Sequence, residues 1–115
     1  MKARVMPPSR TALLPAAALF RSLGDPARLA IISRLSAGES RVTDLTAGLG
    51  LAQSTVSAHL ACLRDCGLVD VRPAGRASVY SLSQPALPAL LAAAEAVLDA
   101  TGNAVALCPR YGQAP

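Results

Sequence analysis

Glycines at positions 24, 38, 48, 50, 67, 75 and 102 cut an otherwise apolar sequence into short pieces. Glycine costs about 1 kcal/mol in a helix interior relative to alanine, so helical patterns tend to end at it. What remains is a set of short helices that can bury their apolar faces only against one another. Leu13, Ala17, Phe20 and Leu23 recur at helical spacing, which predicts a first helix over about 11–23, stopped by Gly24. Asp25-Pro26 offers an N-cap followed by proline at the first helical position, and the second helix carries Leu29, Ile32 and Leu35 to near Gly38. Ser40 is read as the cap of a short third helix with Val42 and Leu45 inward, closed by Gly48. A fourth helix follows from about Gln53 to Cys66, with Val56, Leu60 and Leu63 as its core stripe. Segments 68–72 and 78–82 read as two strands about a turn at 73–77. A last helix spans about 85–101, with Leu87, Leu90, Leu91, Ala94, Val97 and Leu98 at helical intervals. The class is mostly α with a small β-hairpin.

At 115 residues, the chain suits one compact domain, expected over 11–101 between an N-terminal arm (1–10) and a tail (102–115). Eleven Lys and Arg face seven acids, a net charge of +4 that suits a polyanionic partner. Lys2, Arg4 and Arg10 before the apolar run 12–20 loosely imitate a signal peptide, but Pro7, Pro8 and Pro15 interrupt it, so export is not expected. No apolar stretch approaches the roughly 18 residues of a membrane span. Three cysteines make an awkward count for a closed disulfide set, which favours a reducing cytoplasm with thiols free for ligation.

Two short helices joined by the tight Leu49-Gly50-Leu51 connection make a helix-turn-helix, whose second helix can enter a major groove. At 100° per residue, the face opposite Val56, Leu60 and Leu63 holds Ser54, Ala58, Ala61 and Asp65, with Ser57 beside it. Those side chains are small enough for a groove about 12 Å wide, and Gln53, Ser54 and Thr55 supply donors and acceptors for phosphates and base edges. Arg72 and Arg76 on the hairpin are placed to reach an adjacent minor groove or the backbone. The competing reading makes all of these ordinary solvated positions.

Three segments carry a family resemblance: Leu23-Gly24-Asp25-Pro26-Ala27-Arg28-Leu29, Leu51-Ala52-Gln53-Ser54-Thr55-Val56-Ser57-Ala58-His59-Leu60, and Leu63-Arg64-Asp65-Cys66-Gly67-Leu68-Val69. Together they resemble the ArsR/SmtB family of metal-sensing repressors, over roughly residues 20–82. The resemblance implies a winged helix-turn-helix homodimer of order α-α-α-α-β-β-α, joined through its first and last helices. Leu13, Ala17, Phe20, Leu87, Leu91, Ala94 and Leu98 then fall at the dimer interface. It also implies that Gln53, Ser54, Thr55, Ser57 and His59 lie at or near double-stranded operator DNA carrying an inverted repeat, beside Ala58 of the outer face, with Arg76 on the wing. Ala52 departs from the family, which usually has a Ser there as helix cap.

Cys62 and Cys66, four apart on one helix, have Cβ atoms about 5–6 Å apart on a flank shared with Thr55 and His59. Two thiolates at that spacing can chelate one soft ion, and Cys108 in the tail is the remaining thiol. In a dimer, the tail of one subunit could close over the recognition helix of the other. That gives a three-thiolate site for cadmium, lead, mercury or trivalent arsenic. The resemblance points the same way, because the cadmium- and lead-sensing CmtR-like branch carries a Cys pair at these helix positions and a third Cys in the tail. The alternatives are two small buried hydrophobes, or a winged-helix repressor whose thiols act as a redox switch. Segment 40–45 has no Cys and segment 85–101 no His, so the family's other sensor sites are missing. Glu95 and Asp99 read as a solvated acidic face, and His59 as DNA-proximal or structural rather than a fourth ligand. No oxyanion hole, phosphate loop or catalytic carboxylate pair is visible, so neither an enzyme nor a small-molecule substrate is expected.

Overall fold

The computed structural model describes residues 8–103. A 3-10 turn at Thr11–Leu13 leads into α1 (Leu14–Leu23), followed by α2 (Pro26–Leu35), β1 (Ser40–Arg41), α3 (Val42–Leu49), α4 (Gln53–Asp65), β2 (Val69–Ala74), β3 (Ala77–Leu82) and α5 (Leu87–Ala100). The strands form one antiparallel sheet in the order β1-β3-β2. This is a winged helix-turn-helix, as the sequence implied.

Local chemistry explains most boundaries. The Asp25 carboxylate accepts the Arg28 backbone N–H at 3.1 Å, and Pro26 occupies the first helical position of α2. Gly50 closes α3 with φ +69, a left-handed conformation that glycine adopts without steric cost. The wing turns on Gly75-Arg76 alone, between the paired residues Ala74 and Ala77, and Gly75 takes φ +65. A two-residue connection with glycine first matches the twist of the strands it joins, so the strands run closer to the tip than the expected five-residue turn allowed.

The core gathers residues from the five helices and the start of β2: Leu23 of α1, Ile31, Ile32 and Leu35 of α2, Leu45 of α3, Val56, Leu60 and Leu63 of α4, Leu68 and Val69 at the head of β2, and Leu87 and Leu91 of α5. Four expectations need correction. Gly48 does not close α3, which runs on to Leu49 and ends at Gly50. Ser40 does not cap α3. It pairs with Tyr80 in β1, a strand absent from the sequence reading, and Arg41 stands at the helix N-cap without a side-chain cap bond. The second helix ends at Leu35, before Gly38. Leu87, expected at a dimer interface, is buried within the single chain because α5 lays that edge against its own core, and Leu91 is buried there too while also lining the apolar groove between α1 and α5. Leu13 and Phe20 are exposed, Phe20 at 60%. Ala17 is exposed as well, while Ala94 and Leu98 are half-buried. No helix among the described residues is long and apolar enough to cross a membrane.

Candidate nucleic-acid interface and thiol pair

α3 and α4 form the helix-turn-helix, joined by Gly50, Leu51 and Ala52. Val56, Leu60 and Leu63 are fully buried, which fixes the rotation of α4 and turns its other face outward. Gln53, Ser54, Thr55, Ser57, Ala58, Ala61 and Asp65 are all exposed on that outer side. Ala52 has the extended backbone of an N-cap but no side chain to accept a first-turn N–H. The amides at the head of α4 therefore keep their donors free of any side-chain cap.

The hairpin divides the two expected wing cations. Arg76 is exposed at the tip. Arg72 lies on β2 and reaches across β3 to Glu39, its Nη2 donating to both carboxylate oxygens at 2.6 and 2.8 Å. An arginine held this way is already paired with an opposite charge.

His59 leaves the outer face and is half-buried, its Nε2 3.8 Å from Asp25 Oδ2. The Asp25 carboxyl is held below its ordinary value, chiefly by the Arg28 backbone N–H, against an opposing effect of burial, and with a further contribution from His59. Cys62 is half-buried and accepts a hydrogen bond from Arg28 Nη1 at 3.4 Å. Cys66, at the C-cap, is exposed, with Sγ 3.0 Å from Ser22 Oγ. Both thiols are free and point to the corner where α1 meets α2, on the flank between the core and the outer face. Among the described residues no group of three His, Cys, Asp or Glu is placed to hold a metal ion. Cys108 lies outside the described residues. Asp99 is exposed and Glu95 half-buried, so the acidic pair on α5 is only partly the solvated face expected. The sequence reading missed Ser22 and Arg28 at the thiols and saw Asp25 only as a helix cap, because none of those pairings is local.

The family model of the bacterial regulatory proteins of the arsR family matches residues 25–71. The probable mercury resistance operon repressor of Streptomyces lividans is 37% identical over 94 residues, which cover 82% of this chain and 75% of that protein. The chain belongs to the ArsR family. Another family member, the HTH-type transcriptional regulator CmtR of Mycobacterium tuberculosis, is 46% identical over 67 residues, 58% of this chain and 57% of its own length. Among solved structures, the homodimeric winged helix-turn-helix DNA-binding domain Mb0332 of Mycobacterium bovis, a possible ArsR-family regulator, superposes with a TM-score of 0.69 at 28% identity. That match covers 84% of this chain and 91% of that one. These relatives are transcriptional regulators, a non-enzymatic role. The region shared with the family model contains the helix-turn-helix and both α4 thiols.

Proposed function

We propose that this chain is a metal-responsive transcriptional repressor of the ArsR family. It binds an inverted-repeat operator as a homodimer and leaves it when a thiophilic ion is held by Cys62, Cys66 and Cys108. One observation carries the reading. α4 is at once the helix that presents a small, polar, groove-sized face and the helix that bears two free thiols one turn apart. A change at the thiols is therefore a change at the reading head.

Dimerisation rests on the apolar side of α1 and α5. A groove of about 510 Å³ runs between them, lined by Phe20, Leu23, Leu29, Leu90 and Leu98 among others. Phe20 and Val97 are 60% and 63% exposed at its sides. An apolar groove with large hydrophobic side chains exposed at its rim is a surface that a partner can cover. A second copy covers it in this reading, which sets two α4 helices at the half-sites of an inverted repeat.

The donor set suits the effector. Two thiols on one helix, with a third on the tail, match the soft ions cadmium and lead, and also mercury or trivalent arsenic. The ion supplies bonds that tie α4 to the tail. Coupling between such sites typically amounts to about 1–3 kcal/mol and acts equally in both directions. A redox switch closed between Cys62 and Cys66 has less support from geometry than one that pairs either thiol with Cys108. An α-helix holds Cβ atoms at this spacing about 5–6 Å apart, whereas a disulfide needs roughly 3.5–4.5 Å.

The test is an ultraviolet titration of the reduced, metal-free protein with cadmium and with lead, repeated on Cys108→Ser. Thiolate-to-metal charge-transfer bands that saturate at one ion per subunit and weaken in the variant are the expected result. Absence of any band, with operator binding restored by dithiothreitol alone after oxidation, would replace the metal reading with the redox one.

A further inference from the structure

Three polar contacts stitch α4 to the corner of α1 and α2. His59, Cys62 and Cys66 fall within an arc of roughly 60° on α4. They meet, respectively, Asp25 at 3.8 Å, Arg28 at 3.4 Å and Ser22 at 3.0 Å. Ser22 is buried, and its hydroxyl donates to the Ala18 carbonyl at 2.9 Å. A hydroxyl has one hydrogen, so in this arrangement the Cys66 thiol is the donor and Ser22 Oγ the acceptor. On the other side, the Arg28 guanidinium has few acceptors. Its Nε is buried without a partner, and the Cys62 sulfur takes the bond from Nη1. Both sulfurs are thus committed to the α1–α2 corner, Cys66 through the hydrogen it carries.

The geometry points to Ser22 and Arg28 as positioning residues that hold the recognition helix by the sulfurs of Cys66 and Cys62. A thiol that gives up its hydrogen to ligation or alkylation cannot donate to Ser22. Cys66 is exposed, so an occupant reaches the sulfur from solvent and, in taking its hydrogen, forfeits the bond that ties α4 to α1. The regulatory half of this inference rests on the reading of Cys62 and Cys66 as effector thiols; the contact itself does not. Contact and effector then compete for the same sulfur, and the competition is the route by which occupancy of the thiols is felt by the reading head.

Ser22→Ala removes the acceptor at little change in size, and Ser22→Thr restores it. In the full-length, reduced, metal-free protein, iodoacetamide should alkylate Cys66 in Ser22→Ala about two- to fivefold faster than in wild type. That is the fold-change corresponding to one weak S–H···O hydrogen bond. Cys62 serves as the internal control and should keep its rate, and Ser22→Thr should react as wild type does. Cadmium should bind Ser22→Ala tighter by a similar factor, read from the charge-transfer band against a competing chelator. The metal-free variant should bind operator more weakly. An unchanged Cys66 rate, or equal acceleration of both thiols in a variant with native circular dichroism, overturns the contact. Weaker cadmium binding, or undiminished operator affinity, overturns the positioning role. If wild type shows no charge-transfer band, the effector reading fails while the alkylation arm still decides the contact.

Discussion

Removing Arg76 should flatten the salt dependence of operator binding, whereas removing Arg72 should leave it nearly unchanged. Both are wing arginines, and sequence alone gives them equal standing. The structure separates them, because Arg72 Nη2 lies 2.6 and 2.8 Å from the two Glu39 oxygens while Arg76 is exposed at the hairpin tip. An arginine paired with a carboxylate brings no net charge to a phosphate, so it releases no counterion. Each phosphate contact adds about 0.9 to the slope of log affinity against log salt, and a dimer has two wings. Arg76→Ala therefore flattens the slope by about 1.8, and a fourfold rise in salt weakens it roughly 12-fold less than it weakens wild type. The assay is fluorescence anisotropy on an operator duplex selected from random sequence, between about 50 and 200 mM salt, the range over which such slopes act. Glu39→Gln supplies the reciprocal arm, since it frees Arg72 and should steepen the slope. An exposed pair of this kind contributes only about 0.2–1 kcal/mol to folding, so thermal stability should barely move in any of these variants. Equal flattening by Arg72→Ala and Arg76→Ala would refute the neutralisation argument, and no flattening by Arg76→Ala would refute the reach of the wing.

Three further outcomes follow from the described contacts. Ala52→Ser should raise the unfolding free energy by about 0.5–2 kcal/mol in a denaturant titration, since the backbone at 52 is already extended as a cap requires and only the acceptor is missing. Gly48→Ala and Gly50→Ala should have opposite signs. The nearest atoms to a Cβ at 48 belong to the far end of the flexible Arg34 side chain, at 2.5 Å, and the variant gains up to about 1 kcal/mol of helix propensity once that side chain swings aside. A Cβ at 50 meets φ +69 and costs about 1–2 kcal/mol, so the two midpoints should fall on either side of wild type. The lowered folded-state value of Asp25 means that its ionised form stabilises the fold fully above the ordinary carboxylate value of 3.8. That contribution is lost as pH falls below 3.8 through the lowered folded value. Acid unfolding of Asp25→Asn should accordingly differ from wild type above that window and converge with it below.

The sequence by itself determined what depends on neighbours a few residues apart. The glycine punctuation, the Asp25-Pro26 start and the 3.6-residue stripe of Val56, Leu60 and Leu63 are local signals, and each element they define is present. The rotation of α4 follows from that stripe alone, so the outward polar face was legible without coordinates. Tertiary structure decided whatever depends on chain crossings. β1 is two residues long, too short for a periodic pattern, and exists because Ser40 and Arg41 meet Tyr80 and Val79 of β3 about forty positions later. α5 is apolar over so wide an arc that periodicity could not tell its core edge, Leu87 and Leu91, from its open edge at Val97. The partners of Cys62, Cys66, His59 and Arg72 lie 33 to 44 positions away. A side chain's spacing along a helix shows which face it shares, but only the crossing of a second element shows what it touches.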